Sequence, residues 1–224
     1  MKIIVTGSLG HISKPLTKEL IEKGHQVTVI SSSEERKKEI DELGATASIG
    51  PLQDAAFVSD TFTGADAVYC MIPPNFAAPD QVAYYKEVAN NYKNGIVKSG
   101  INRAVHLSSW GAHLSEGTGM ILGSHHAEVI LNSVAEVAVT HLRAGSIMYN
   151  IYSFTDMIKY AGMIGANYGG TDKIVWVHHN DIASVASAEL EKTTQIEKIR
   201  YVASDEKTAN ESAGIIGEAI GKPD

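Results

Sequence analysis

The 224-residue chain has a single cysteine, Cys70. One thiol cannot build an intramolecular disulfide framework or a thiolate metal cluster. Cys70 sits in an apolar, strand-like run, so it reads as a buried and inert thiol. Positive charge is also scarce: 19 Lys and Arg face 26 Asp and Glu, a formal net charge of −7. The densest basic cluster, Arg36-Lys37-Lys38, is hemmed in by Glu34, Glu35, Glu39 and Asp41 and reads as a solvated helix face. That leaves no basic stripe of the kind nucleic acid requires. No apolar run approaches the ~20 residues of a membrane helix, and the N-terminus enters a strand without a signal-like apolar region. The expectation is a cytoplasmic protein that engages neither nucleic acid nor membrane. Two further absences concern catalysis. No tyrosine lies between Tyr92 and Tyr149, and no lysine between Lys98 and Lys159.

What is present begins at the first residues. Ile3 to Val5 is a short apolar run that breaks into Thr6-Gly7-Ser8-Leu9-Gly10-His11-Ile12-Ser13, after which Leu16, Leu20 and Ile21 repeat with helical spacing. A strand, a glycine turn and a helix in this order form the first unit of a dinucleotide-binding domain. Gly7 permits the tight turn, Gly10 lets the backbone approach a pyrophosphate, and the free N–H groups of the following helix face the anion. The usual third glycine is Ser13, still small enough for close helix–strand packing.

With 44% hydrophobic residues the chain can bury one sizeable core, so residues 1–224 read as one domain. Strand-like segments at Gln26–Ile30, Ala45–Ile49, Ala65–Ile72, Arg103–Leu107 and Val137–Leu142 alternate with helical segments at Glu34–Leu43, Asp80–Ser99 and His125–Ser133. This alternation predicts an α/β fold, a Rossmann-type doubly wound parallel sheet. Its core would occupy about residues 1–143, with residues 144–224 adding a small substrate lobe and the last strands. In such sheets ligands bind beyond the carboxyl ends of the strands. The predicted crevice is therefore lined by Gly7–Ile12, Ser31–Ser33, Gly50–Leu52, Met71–Pro74, Ser108–Ala112 and Ala144–Met148.

Four ordered motifs carry a resemblance that covers nearly the whole chain: Val5-Thr6-Gly7-Ser8-Leu9-Gly10, Arg103 to Ser109, Thr140-His141-Leu142-Arg143-Ala144-Gly145 with Asn150 behind it, and Asn180-Asp181-Ile182-Ala183. Together they resemble the NmrA-like atypical short-chain dehydrogenases, a group that includes NAD(P)H-dependent quinone reductases and cofactor-sensing regulators. The chain departs from that group in three places. Ser31 stands where members often carry an Arg after the second strand, and Pro51 follows Gly50 where many carry an Asp that reaches the adenine. Members also usually run beyond 224 residues, so the C-terminal substrate lobe reads as incomplete.

The resemblance implies a dinucleotide, and the crevice supplies the residues expected to hold it: Gly7, Ser8, Leu9, Gly10, His11, Ile12, Ser31, Ser32, Ser33, Leu52, Met71, Ile72, Pro73 and Ser108. Ser31-Ser32-Ser33 lacks the carboxylate that an NAD-selective site places after the second strand. Serine hydroxyls can donate to a 2′-phosphate, and Arg36 or Lys37 is within reach from the next helix, so NADP(H) is expected over NAD(H). The same serines also suit a turn with a helix cap at Ser33. Typical members of the superfamily reduce ketones with a Tyr and a Lys four residues later, and that pair is missing here. An alkoxide would lack its acid. A quinone accepts hydride readily and leaves a phenolate, a much weaker base, so positioning plus a few donors suffices. Ser108 and Ser109 are the best-placed hydroxyls, and His126, with His113 and His125 as alternatives, is the candidate proton source.

Other features have plainer readings. Asp181 is expected to cap a helix over Ile182–Leu190. His178-His179 lacks the spacing of a metal site, and no metal is assigned. Tyr84, Tyr85 and Tyr92 suit packing, Arg143 suits anchoring a loop, and Gly117–Gly123 suits either a flap or a surface loop. Two functions follow. One is an oxidoreductase passing hydride from NADPH to a small quinone-like acceptor. The other is a non-catalytic NAD(P) sensor acting through a protein partner and exposing an apolar patch for it. An epimerase or dehydratase of the extended short-chain class is the weakest reading, since it needs the same Tyr/Lys pair. The chain is expected as a monomer or homodimer.

Overall fold

The computed structural model describes residues 1–193 and 196–222. The first strand, β1 (Lys2–Val5), pairs in parallel with β2 (Gln26–Ser31) on one side and β4 (Ala67–Cys70) on the other. Beyond them lie β3 (Thr46–Ile49), β5 (Arg103–Ser109), β6 (Ala138–Ala144) and β9 (Ile199–Val202). The sheet runs in the order β3-β2-β1-β4-β5-β6-β9, and every pairing in it is parallel. This is a Rossmann-type α/β fold whose strand order reverses between β1 and β4. That reversal opens the crevice in which such folds take their ligands.

Burial on both faces explains the continuous apolar runs of the central strands. Ile3 and Val5 join Leu16 and Leu20 of α1 (Ser13–Glu22), Ile40 of α2 (Lys37–Glu42) and Ile182, Ala186 and Leu190 of α7 (His179–Leu190) on one face. Ile4, Val68 and Cys70 point the other way. They pack on Val58 and Phe62 of α3 (Ala55–Phe62), Val88 and Tyr92 of α4 (Gln81–Ser99) and Ala127 and Leu131 of α5 (Ile121–Asn132). Burial pushes the Cys70 thiol pKa far up, so this residue is an inert core atom.

Several boundaries differ from the sequence expectation. The α5 helix begins at Ile121 rather than near His125, because Gly123 is a packing residue and not a loop residue. A Cβ on Gly123 would lie 2.6 Å from the Tyr85 ring, so its absence lets α4 and α5 close together. The helix α3 falls where no element was expected; Asp54 caps it by accepting from the amides of Ala56 and Phe57. Asp181 does not cap α7. His178 holds that position and its side chain accepts from Asn180 N, while Asp181 takes a hydrogen bond from Ser204.

After β6 the chain leaves the main sheet for a small lobe. A second sheet joins β7 (Ser146–Ile147), β8 (Lys173–Val177) and β10 (Asp205–Thr208), accompanied by a 3-10 segment over Met148–Phe154, α6 (Thr155–Ala161) and α8 (Ala209–Ala219). A capping box between Thr208 and Glu211 starts α8. Among the described residues, no helix is long and apolar enough to cross a membrane.

Candidate functional site

The glycine turn is fastened at three points. Ser13, in the third-glycine position, donates from Oγ to Thr6 O at 2.8 Å, and a Cβ on Gly7 would fall only 2.7 Å from that Oγ. Gly7 has φ +90°, and Ser8 has φ +56°, a left-handed conformation that a non-glycine residue adopts at a cost of about 1–3 kcal/mol. Ser8 is held there by its Oγ donating to Ser31 Oγ at 2.9 Å and its N–H donating to Ile30 O at 3.0 Å. The α1 N-terminus behind the turn has no side-chain cap and no acidic residue in its first turn. Its amide dipoles therefore face the crevice without a built-in anion. Leu9 and Ile12 are buried in the core, so these two present backbone rather than side chain to the crevice.

Beside the turn lies a hollow of about 200 Å³ at the carboxyl ends of β1 to β4. Gly7, Ser8, Ser31, Ser32, Leu52 and Pro73 line it, together with Pro51, Gln53 and Tyr84. Ser31 is buried and its hydroxyl is engaged within the turn: it accepts from Ser8 Oγ and from Ser33 N–H (3.2 Å) and donates to Ser33 O (3.4 Å). It shapes the turn and has no proton left for a phosphate. Ser32 is exposed. Ser33 heads the 3-10 turn Glu34–Arg36 without a side-chain capping bond. Two cations on the elements that follow β1 and β2 meet there: Arg36 and a residue that sequence reading passed over, Lys14. Both close on Glu39, at 2.7 Å and 2.8 Å, and the hydrogen bonds from Lys14 and then Arg36 hold the Glu39 pKa down. Lys14 sits one residue into α1, and that register is the signal that would have found it. Met71 and Thr6 tie β4 to β1 at the switch point, Met71 N–H donating to Thr6 Oγ1 at 2.7 Å, and Ile72 lies buried just beyond.

At the ends of β5 and β6 the crevice floor is polar. Ser108 Oγ donates to Glu128 Oε1 at 2.5 Å, and Glu128 takes two bonds from Arg143, at 3.0 Å and 2.7 Å. All three residues are buried. Burial pushes the Glu128 carboxyl upward, but the bonds from Arg143 and Ser108 outweigh it and leave its pKa below the ordinary value. Arg143 also donates to Tyr201 OH at 3.0 Å, and Tyr201 packs edge-on to Trp110. Glu128 was missed in the sequence, although a carboxylate at helical spacing from Ala127 and Leu131, on the face that the helix buries, signals a paired charge. Arg143 thus anchors α5 rather than a loop. Ser109 Oγ turns to Trp110 O at 3.2 Å. His126 is half-buried on α5. Burial, then Lys86 and His125, lower its pKa, so at neutral pH it is a neutral imidazole. His125 Nδ1 is 2.9 Å from Ala112 O.

The lobe approaches the glycine turn through aromatic rings. His11 lies against Tyr149 with ring centroids 3.5 Å apart, and His179 at the start of α7 is 5.8 Å from His11. Among the described residues, no three His, Cys, Asp or Glu side chains gather as a metal site would require. Taken together, the open α1 terminus, the adjoining hollow and the absence of a carboxylate at the end of β2 fit a dinucleotide lying across this edge.

The model of the NmrA-like family matches residues 1–223, and the chain belongs to that family. The uncharacterized protein C2A9.02 of Schizosaccharomyces pombe is 26% identical over 248 residues, spanning all of this chain and 82% of that protein. Among solved structures, the triphenylmethane reductase of Citrobacter sp. superposes with a TM-score of 0.83 at 18% identity, covering 100% of this chain and 77% of that one. An NADPH-dependent quinone oxidoreductase from Escherichia coli, solved with NADPH, gives 0.84 at 19% identity over 98% of this chain and 76% of that one.

Proposed function

We propose that this member of the NmrA-like family is an oxidoreductase that binds NADPH along the carboxyl edge of its main sheet and passes hydride to a quinone or a similar electron-poor acceptor. The observation that carries the reading is the hollow beside Gly7 and Ser8. It has no carboxylate at the end of β2, and the two elements that lead away from it, α1 and the 3-10 turn after β2, carry Lys14 and Arg36, which meet at Glu39. The α1 amides face the pyrophosphate, and Lys14 and Arg36 face the 2′-phosphate, with Ser32 as the available hydroxyl. The Escherichia coli neighbour is itself NADPH-dependent and acts on quinones, which supports the same class here.

The hydride would come from NADPH when it is bound, and a quinone taking it with both electrons would become a phenolate. The chain has no Tyr/Lys pair to protonate an alkoxide. The Ser108 hydroxyl is committed to Glu128 and that of Ser109 to the Trp110 carbonyl, and neutral His126 is a poor acid. A phenolate needs no such acid, because water protonates it. The role left to the protein is orientation.

A second reading is a redox sensor with a protein partner. It is favoured by the apolar side chains that the lobe exposes: Tyr152, Tyr160, Met163, Ile215 and Ile220. One experiment separates the two. The protein is titrated with NADPH, NADP⁺ and NADH, then given a naphthoquinone while the reduced-nicotinamide absorbance is followed. Tight NADPH binding with rapid oxidation supports the reductase, whereas tight binding of both redox forms without oxidation supports the sensor.

A further inference from the structure

We infer that Ser108 serves the crevice as a hydrogen-bond acceptor, fixed in that role by Glu128, so that the molecule bound over it must bring an N–H or O–H. The argument is a count of protons. Glu128 is buried and held by two bonds from the Arg143 guanidinium, which keeps its carboxyl ionised. An ionised carboxylate only accepts. Ser108 Oγ is 2.5 Å from Glu128 Oε1, and the single proton on that line is the serine's own. Ser108 therefore has none left, and what it turns to a ligand is lone-pair density.

The surroundings lock this direction. On the same face of β5 and β6, two residues deeper, lie the rings of His106 and His141, buried like the Glu128–Arg143 pair itself. Turning the hydroxyl outward would take a hydrogen bond from a buried carboxylate, the most costly place to lose one. A bare carbonyl over Ser108 is therefore disfavoured, and an amide, amine or hydroxyl is favoured. Glu128 is a positioning residue: it acts through Ser108 and touches no ligand.

The donor has two sources, the carboxamide N–H of the nicotinamide or an N–H on the acceptor, and only the second rests on the function proposed above. Binding, not turnover, tells them apart. In one arm the dissociation constants of NADP⁺ and of its 3-acetylpyridine analogue, which replaces the amide NH2 with methyl, are compared. In the other, the NADP⁺-loaded protein is titrated with 2-amino- and 2-methyl-1,4-naphthoquinone, a near-isosteric pair. The wild-type protein should favour the N–H-bearing probe roughly fivefold in at least one arm, and Ser108→Ala should abolish that preference. Glu128→Gln gives Ser108 a donor partner, frees its proton and should reverse the preference. Should that variant fail to fold, Ser108→Ala still decides. If neither naphthoquinone binds, the acceptor reading fails and the cofactor arm alone decides the inference. Equal discrimination by the wild type and Ser108→Ala in every arm that binds overturns it.

Discussion

The Nδ1 atoms of His106 and His141 lie 3.0 Å apart inside the molecule, at paired positions of β5 and β6, with both side chains buried. Only one of the two facing nitrogens can carry a proton, so the contact forbids charging both rings, and burial disfavours charging either. Burial, and then the neighbouring ring, push the His106 pKa well down; burial brings that of His141 to about 4. The unfolded chain binds protons near the ordinary histidine value of 6.5, above the folded value. Stability is therefore full above pH 6.5 and declines as pH falls toward 4, by about 3 kcal/mol for His141 alone. Denaturant melts at pH 7, 6 and 5 should show this loss. A His106→Leu/His141→Leu protein, which removes both partners, should show a much flatter profile across the same window. An unchanged slope would mean the pair does not set it.

The Lys14–Glu39–Arg36 cluster predicts how the cofactors are told apart. Lys14→Ala and Arg36→Ala should each weaken NADPH by roughly tenfold while leaving NADH nearly unchanged, since only the former has a 2′-phosphate. Both side chains are solvated, so the effect should shrink in high salt. Dissociation constants for the two nucleotides at low and high ionic strength test this. Equal losses for both would put the 2′-phosphate elsewhere.

A second buried cation separates stability from binding. Arg103, at the amino end of β5, donates to Glu189 Oε2 at 3.2 Å, Glu189 O at 2.9 Å and Thr140 Oγ1 at 3.0 Å. This network joins α7 to the sheet at the end remote from the crevice. Arg103→Met should cost about 3 kcal/mol, the low end for breaking a buried pair, because Glu189 keeps Lys192 and Arg200 as partners. The folded fraction should bind nucleotide as the wild type does. A weaker affinity in the folded fraction would show the two ends of the sheet to be coupled.

The alternation of apolar runs and glycine breaks was enough to read the parallel sheet from sequence, because β1, β4 and β5 are buried on both faces and leave a strong local signal. The lobe strands were not readable in that way. The segment Asp205–Thr208 is wholly polar, and it is a strand only because its register with β8 makes it one. The helix Ala55–Phe62 has Val58 and Phe62 one turn apart, too short a pattern to stand out without its partners on α4. At the site, the turn residues were visible because backbone geometry dictates residue type there. What each hydroxyl does was not. Ser31 and Ser108 look like free donors in sequence, and the partners that take up their protons, Ser33 and Glu128, are settled only by the fold.

Gly7 offers the sharpest test of the turn itself. Its φ of +90° strains any L-residue, and a methyl there would meet Ser13 Oγ at 2.7 Å and the Met71 side chain at 3.2 Å. Relief by rotating Ser13 would break its bond to Thr6 O, which fixes the start of α1 against β1. Gly7→Ala should therefore lower stability by about 1–3 kcal/mol and weaken nucleotide binding more than tenfold, since the α1 amides lose their alignment. Gly24 has a similar φ of +85°, but a Cβ there meets nothing within 4 Å. Gly24→Ala carries the backbone strain without the collision and lies at the far end of α1. It should lower stability by a similar or smaller amount while leaving affinity intact. If Gly24→Ala weakens the nucleotide as much as Gly7→Ala does, the loss comes from general destabilisation and the turn is not the pyrophosphate site.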